Sequence, residues 1–158
     1  MSGLVNKKPK EQPVAAPVET IYDKIYAAAK SKFGEKEIPG NKDNPFILEC
    51  FKTTSYKADH DETAWCAAFI GWVLKQVGLK GSGSAAAVSY LKWGVELKVP
   101  VKGCIMVLQH PSGGHHVTIF DREENGRVYG LGGNQSNQVN VSSWAKSEVM
   151  KGGYRGPA

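Results

Sequence analysis

The sequence predicts an α+β fold in which helices come first and an antiparallel sheet follows. Up to Gly94, apolar residues recur mainly at spacings of three and four, as in core-facing helices. After Val99 they form a continuous run or alternate, as in strands. The segment Glu123-Glu124-Asn125-Gly126 separates two such runs and is a strong β-hairpin signal. Helices followed by strands indicate separate α and β regions rather than alternating βαβ units.

The chain is long enough to form one domain. Its 158 residues can bury a core of their own, and an apolar fraction of 41% with a charged fraction of 22% is ordinary for a globular protein. Residues 1 to 18 are rich in Lys, Pro, Val and Ala and show no periodicity, so we expect a disordered or extended arm there. Residues 19 to 158 are expected to form the folded domain.

Four helices are predicted before the sheet. Asn44 followed by Pro45 is typical of an N-cap with proline at the first helical position. Gly34 is expected to close the helix that precedes this cap. The four helices are predicted at residues 19–33, at 45–50, from about residue 66, and at 84–93.

The helix near Cys66 is predicted from its apolar stripe. Counting from Cys66, apolar residues with the spacing of a core-facing amphipathic helix are Phe69, Ile70, Val73, Leu74 and Val77. We expect Thr63 to cap the start of this helix, with Asp61-Glu62 adding favourable negative charge. Gly78 is a good left-handed stop, and Leu79 after it can fold back in a Schellman ending.

Five strands are predicted in the second half. The first is a continuous apolar run, as expected of a central strand. The predicted strands lie at residues 104–108, 116–121, 127–131 and 138–141, with a last short one around Tyr154.

The thiol of Cys66 is the best candidate for reactive chemistry. A helix N-terminus carries a partial positive charge and unpaired N–H donors, which favour thiolate, the nucleophilic form of cysteine. The alternative is that Cys66 is a small buried apolar residue, as most free cysteines are. Cys50 and Cys104 lie in apolar surroundings and are predicted to be buried structural thiols. The sequence leaves open whether these two form a disulfide bond.

The predicted hairpin brings an amide side chain close to His116. If the loop has three residues, Glu124-Asn125-Gly126, His116 lies opposite Asn134 in the neighbouring strand. If the loop is Asn125-Gly126 alone, His116 lies opposite Gln135 instead. A cysteine hydrolase requires a thiol, an imidazole that takes its proton, and a polar group that holds the imidazole.

These residues also have other interpretations. His115 and His116 follow a Gly-rich loop and could be exposed loop histidines, and Asn134 in a Gly-rich turn is often there for its backbone conformation. A zinc site built from Cys104, His110, His115 and His116 is a further alternative. Its spacing matches no standard ligand pattern, so neither a metal nor another cofactor is predicted.

Five segments of the chain together resemble one protein family. They are Thr63-Ala64-Trp65-Cys66-Ala67-Ala68-Phe69, Gly83-Ser84-Ala85, Trp93-Gly94, Gly114-His115-His116-Val117 and Leu131-Gly132-Gly133-Asn134-Gln135-Ser136-Asn137. Over roughly residues 20 to 156 the chain resembles the cysteine, histidine-dependent amidohydrolase/peptidase (CHAP) domains, which are relatives of the NlpC/P60 cell-wall hydrolases. The resemblance implies a papain-like fold, with N-terminal helices packed on a small antiparallel sheet.

The resemblance also implies roles for individual residues. Cys66 matches the nucleophile, His116 the base, and Asn134 the polar third member of the catalytic set. Many relatives carry Glu where this chain has Gly132, which leaves Asn134 as the orienting group. The neighbouring residues that are predicted to contact the substrate are Trp65, His115 and Gln135. The alternative for Trp65 is a place in the core or in the wall of the cleft.

By this resemblance the protein is expected to hydrolyse peptidoglycan. Cys66 would attack an amide of the murein peptide and form an acyl-enzyme. Its own backbone N–H, with Tyr56 or His60 as a second candidate donor, would stabilise the oxyanion. A phage or prophage endolysin is the first expectation. The alternatives are an antibacterial amidase effector with an immunity partner, and a noncatalytic murein-binding or virion structural module.

Charge and hydropathy restrict the partners further. The net charge of +5 is scattered and forms no Arg-rich stripe, so nucleic acid is not an expected partner. No apolar run approaches the ~20 residues that span a bilayer, and the N-terminus lacks the apolar core of a secretory signal. The resemblance further implies synthesis in the bacterial cytoplasm, release with the help of a holin, and action on the cell wall in the periplasm. A monomer is the expected oligomeric state.

Overall fold

The structure, a computed structural model, describes residues 18–39, 43–55 and 64–158 and confirms the α+β class. The α-helices are α1 (Ile21–Lys30), α2 (Pro45–Phe51) and α3 (Cys66–Gln76), and short 3₁₀ helices lie at Ala87–Lys92 and Lys146–Glu148. The strands are β1 (Val95–Glu96), β2 (Ile105–Gln109), β3 (His115–Glu124), β4 (Arg127–Gln135), β5 (Gln138–Ala145) and β6 (Val149–Gly156). The predicted N-terminal arm, apart from Val18, lies outside the described residues.

Both predicted N-terminal helices are present. Helix α1 is shorter than the predicted 19–33 because a capping box fixes its start. The Thr20 hydroxyl accepts the Asp23 N–H at 3.2 Å, and the Asp23 carboxylate accepts the Thr20 N–H at 2.9 Å. The prediction that Asn44 caps the second helix is confirmed, since its Oδ1 accepts the Phe46 N–H at 2.8 Å.

Helix α3 ends as predicted but is more deeply buried. Gly78 adopts φ +80°, and Leu79 donates its N–H to the Leu74 carbonyl at 2.8 Å, which is the Schellman ending. The predicted helix is present, but the prediction that it is amphipathic is wrong, because every residue from 66 to 74 is buried. The reason is that α1, α2, β3 and β4 all pack against α3. The predicted cap, Thr63, lies outside the described residues.

The helix predicted at 84–93 is a 3₁₀ helix limited to Ala87–Lys92. The Ser84 hydroxyl accepts the Ala86 N–H at 3.0 Å, a local turn that competes with helical hydrogen bonding before residue 87. Strand β1, which follows, is absent from the prediction. It has two residues, too few to show a pattern, and pairs with the end of β6.

The strands form one antiparallel sheet in the order β1-β6-β2-β3-β4-β5. The five predicted strands are present as β2 to β6, mostly with longer bounds. Side chains of β2 alternate between two apolar clusters: Ile105 and Val107 face the larger one, which includes the helices, and Met106 and Leu108 face the smaller one. Both faces of β2 are therefore buried, which explains its continuous apolar run. Among the described helices, none is long and apolar enough to cross a membrane.

The β3–β4 hairpin contains both registers that the sequence left open. Glu124 pairs with Arg127 across a two-residue loop. Beyond Asp121, an extra residue that forms a β-bulge, the register shifts by one. Phe120 is consequently paired with Gly130, which is the register expected for a three-residue loop.

Candidate active site

The N-terminus of α3 places the Cys66 thiol against the start of β3. Cys66 is the first residue of α3 and is 7% exposed, and His116 is the second residue of β3. The thiol and the imidazole lie close enough to shift each other's pKa. The backbones of Val117 and Ala67 are also near the sulfur and favour its anion. The fold thus brings together the residues predicted as nucleophile and base.

The thiol and the imidazole shift each other's pKa toward an ion pair. Burial alone would raise the pKa of the Cys66 thiol, but the contact and charge of His116 and the two backbone groups lower it. Burial would lower the pKa of the His116 imidazole, but the contact and charge of Cys66 and a hydrogen bond to Gln135 raise it. A thiolate beside an imidazolium is the reactive form of a cysteine nucleophile.

Gln135 holds the other side of the imidazole. Its Oε1 lies 3.1 Å from Nε2 of His116 and accepts the Thr118 hydroxyl at 2.7 Å. Its own Nε2 donates to the carbonyl oxygens of Gly130 at 3.1 Å and of Asn140 at 2.7 Å. Because the amide nitrogen is committed to two carbonyls, Oε1 must face His116, and Nε2 of His116 must carry a proton. The other imidazole nitrogen, Nδ1, is then left for the thiol.

The contact with the imidazole that the sequence predicts for Asn134 is made by Gln135 instead. Asn134 has φ +57°, in the left-handed region, and the β4–β5 register shifts between Gly132 and Gln135. This irregularity interrupts the alternation of side chains along β4, so that Gln135 reaches the same side as Gly132 and contacts His116. The backbone conformation of Asn134 supports the alternative interpretation, in which asparagine occurs at this position because it tolerates positive φ.

Gly132 leaves the space that the Gln135 amide occupies. A Cβ atom at this position would overlap Oε1 of Gln135 and would lie 2.5 Å from the Thr118 hydroxyl. The absence of a side chain at Gly132 therefore makes room for the Gln135 amide, which reaches the imidazole from three residues further along β4.

Trp65 packs in the core rather than at a surface. Its side chain is fully buried, and its indole Nε1 donates to Oε1 of Glu37 at 2.9 Å. Gly133 lies so close that a Cβ atom there would overlap the indole ring. Phe69 meets the ring edge to face, with centroids 6.3 Å apart. The substrate contact predicted for Trp65 is not supported by this placement, because the ring has no exposed surface.

A recess of about 560 Å³ opens beside His116. Its volume is typical of ligand pockets. The Trp144 ring lies along one wall, with its centroid 5.3 Å from that of the His116 ring. His115, predicted to contact the substrate, lines the recess and is exposed. Gln135 also borders the recess, but its amide is committed to the contacts that orient His116.

The remaining candidates are placed as follows. Cys50 and Cys104 are free and buried in separate apolar clusters, which confirms structural thiols and gives no disulfide bond. Burial raises the pKa of both thiols, that of Cys104 to about 11. Within the described ranges, no group of three or more His, Cys, Asp or Glu side chains could hold a metal ion. Tyr56 and His60, the candidates for a second oxyanion donor, lie outside those ranges.

No protein-family model matches the chain, and no curated protein is significantly similar to it. The resemblance to CHAP domains therefore stays a prediction based on the five segments, and the function is inferred from the site itself.

Proposed function

We propose that the protein is a cysteine amidase or endopeptidase with a papain-like arrangement. One observation carries the proposal: the Cys66 thiol lies against the imidazole of His116, whose Nε2 is 3.1 Å from Oε1 of Gln135. A thiol, a base and a group that orients the base are the three parts of a cysteine acyl-transfer site. Their position, at the start of a buried helix packed on an antiparallel sheet, agrees with the papain-like fold that the resemblance implies.

The first half of the proposed reaction forms an acyl-enzyme. The Cys66 thiolate attacks the carbonyl carbon of an amide, and negative charge develops on the carbonyl oxygen. The Cys66 N–H, one of the first N–H groups of α3, has no partner within the helix and is suited to donate to that oxygen. The C–N bond then breaks, and the imidazolium of His116 gives its Nδ1 proton to the leaving amine.

The second half releases the acyl group. Nδ1 of His116, now unprotonated, takes a proton from water as the oxygen of that water attacks the thioester carbonyl. The C–S bond breaks and the thiolate is restored, so the imidazolium and the thiolate are both regenerated. Gln135 accepts from Nε2–H throughout, which keeps Nδ1 directed at the sulfur in both half-reactions.

We propose that the substrate is an amide of the peptidoglycan peptide. We also propose that the protein is a phage or prophage lysin that acts on the cell wall. The support is the combination of five segments that resemble CHAP domains. The recess of about 560 Å³ beside His116 is large enough for part of a short peptide.

Digestion of purified murein tests the proposal. We expect the protein to clear a murein suspension, and mass spectrometry of the products to show new amine and carboxyl ends that identify the bond. Cys66→Ala should abolish clearing. Cys104→Ala is the matched control, because it makes the same chemical change at a buried thiol in the other apolar cluster; it should retain most of the activity.

Two results would contradict the proposal. Murein binding without cleavage would favour a noncatalytic wall-binding module. Cleavage that survives Cys66→Ala would move the chemistry to another residue. Circular dichroism of each variant shows whether its fold is retained.

A further inference from the structure

The recess beside His116 contains one acidic side chain among the described residues that line it. This residue is Glu148, at the end of the 3₁₀ helix that follows β5. The same recess is bordered by His116 and Trp144. The His116 imidazole and the Glu148 carboxylate therefore border the same cavity.

The carboxylate of Glu148 is held in place and is not neutralised by a neighbouring cation. Its Oε2 accepts the Ala145 N–H at 2.9 Å, which fixes the side chain beside the end of β5. No described Lys, Arg or His forms an ion pair with it. Lys146, two residues away, pairs with Glu123 at 3.2 Å instead. One oxygen of Glu148 thus remains available to a ligand.

The histidines of the recess form no ion pair with Glu148. Nδ1 of His110 contacts Ser112 instead, with the Ser112 N–H at 3.1 Å and the Ser112 hydroxyl at 2.6 Å. The positive charge of His116 is balanced by the sulfur of Cys66. Among the described residues that line the recess, Glu148 is therefore the acidic side chain, and it has no ion-pair partner.

We infer that Glu148 selects substrates that carry an ammonium group near the amide to be cleaved. This inference rests on the proposed function and specifies the class of its substrate: a peptide with a free amine, placed along Trp144 with the amine at Glu148. An ammonium there forms a charge-assisted hydrogen bond in a partly enclosed cavity. Murein peptides carry such amines, at the diaminopimelate side chain and at a free N-terminus.

Binding to an inactive variant tests this selection without requiring turnover. Calorimetry in the Cys66→Ala background compares the murein tetrapeptide that contains diaminopimelate with the same peptide after acetylation of its amines. We expect acetylation to weaken binding about fivefold. In the Cys66→Ala/Glu148→Gln variant, acetylation should change the affinity by less than about twofold.

The substitution Glu148→Gln removes the negative charge alone, because glutamine retains an oxygen that can accept the Ala145 N–H. Glu124→Gln is the matched control: it removes one negative charge at the exposed hairpin, where Glu124 pairs with Arg122. It should leave the effect of acetylation unchanged. Equal weakening by acetylation with and without the Glu148 carboxylate, or no measurable binding of either peptide, would overturn the inference.

Hydrolysis by the protein with Cys66 intact separates this inference from the proposed function. One outcome is that murein is cleaved while acetylation weakens binding equally in the Cys66→Ala and Cys66→Ala/Glu148→Gln variants. In that case the inference about Glu148 is wrong and the proposed function is retained. If murein is not cleaved but the amine preference depends on Glu148, the proposed reaction fails and the recess remains an ammonium site.

Discussion

Oε1 of Gln135 lies 3.1 Å from Nε2 of His116 and accepts the Thr118 hydroxyl at 2.7 Å. The amide nitrogen of the same residue donates to Gly130 and Asn140 carbonyls, so the amide cannot turn over without losing these hydrogen bonds. The orientation of the imidazole is consequently set by a network with a buried centre, in which Thr118 has no exposed surface and Gln135 is 4% exposed.

Removing the Gln135 amide should slow hydrolysis more than removing the Asn134 side chain. We expect Gln135→Ala to lower kcat by about 100-fold, because the imidazole loses the acceptor that fixes its tautomer. Asn134→Gly keeps the left-handed backbone conformation while removing the amide, so kcat should change by less than about threefold. Steady-state kinetics on murein fragments measures both. The reverse order of effects would return the orienting role to Asn134.

A methyl group at Gly132, in strand β4, should displace the Gln135 amide from the active site. The Cβ of Gly132→Ala would overlap Oε1 of Gln135, so the amide must move away from His116. We expect a loss in kcat of at least tenfold, similar in kind to Gln135→Ala. In the double variant with Gln135→Ala, the Gly132→Ala change should cost little more, because the overlapping atom is gone. Additive losses in the double variant would show that Gly132 acts by another route.

The pH dependence of hydrolysis should reflect both pKa shifts. Burial opposes ionisation of Cys66, but its contacts with His116 lower the thiol pKa, so kcat/KM should rise at a pH below that of an ordinary thiol. Burial opposes protonation of His116, but Cys66 and Gln135 raise the imidazole pKa. Activity should therefore fall only at a pH above the pKa of an ordinary imidazole. Gln135→Ala should move the falling limb to lower pH. A rising limb at the pH of a free thiol would contradict the ion pair.

Trp65 should matter for stability rather than for substrate binding. Trp65→Phe keeps an aromatic ring against Phe69 but removes the indole N–H that donates to Glu37. We expect the free energy of unfolding to fall by about 1–3 kcal/mol, measured by urea denaturation. KM for murein fragments should stay within about twofold of the original value. A several-fold rise in KM at unchanged stability would restore the predicted substrate contact.

The elements that depend on local patterns were predictable from the sequence. The Asn44 cap and the Gly78 ending are determined by side chains within a few residues, and both are present. The burial of α3 on all sides was not predictable from its stripe, because it depends on how many elements pack against the helix. Strand β1 owes its existence to pairing with β6 and carries no pattern of its own.

The site was predictable in its two central residues and less so in the third. Cys66 and His116 follow from a helix start and a strand start, and the structure places them in contact. The choice between Asn134 and Gln135 depends on two one-residue shifts, at Asp121 and near Asn134, which local pairing rules do not fix. Nothing in the sequence indicated that Thr118 is part of the site, because its only visible feature is its place in a predicted strand.

The reactivity of the three thiols tests the central claim most directly. The protein is treated with iodoacetamide at pH 7, and the extent of alkylation at each cysteine is followed by mass spectrometry of its peptides. We predict that Cys66 reacts at least about tenfold faster than Cys50 and Cys104, whose pKa values are raised by burial. His116→Ala should remove most of this advantage. Equally slow alkylation of all three thiols, or a Cys66 rate that is unchanged by His116→Ala, would contradict the thiolate–imidazolium pair.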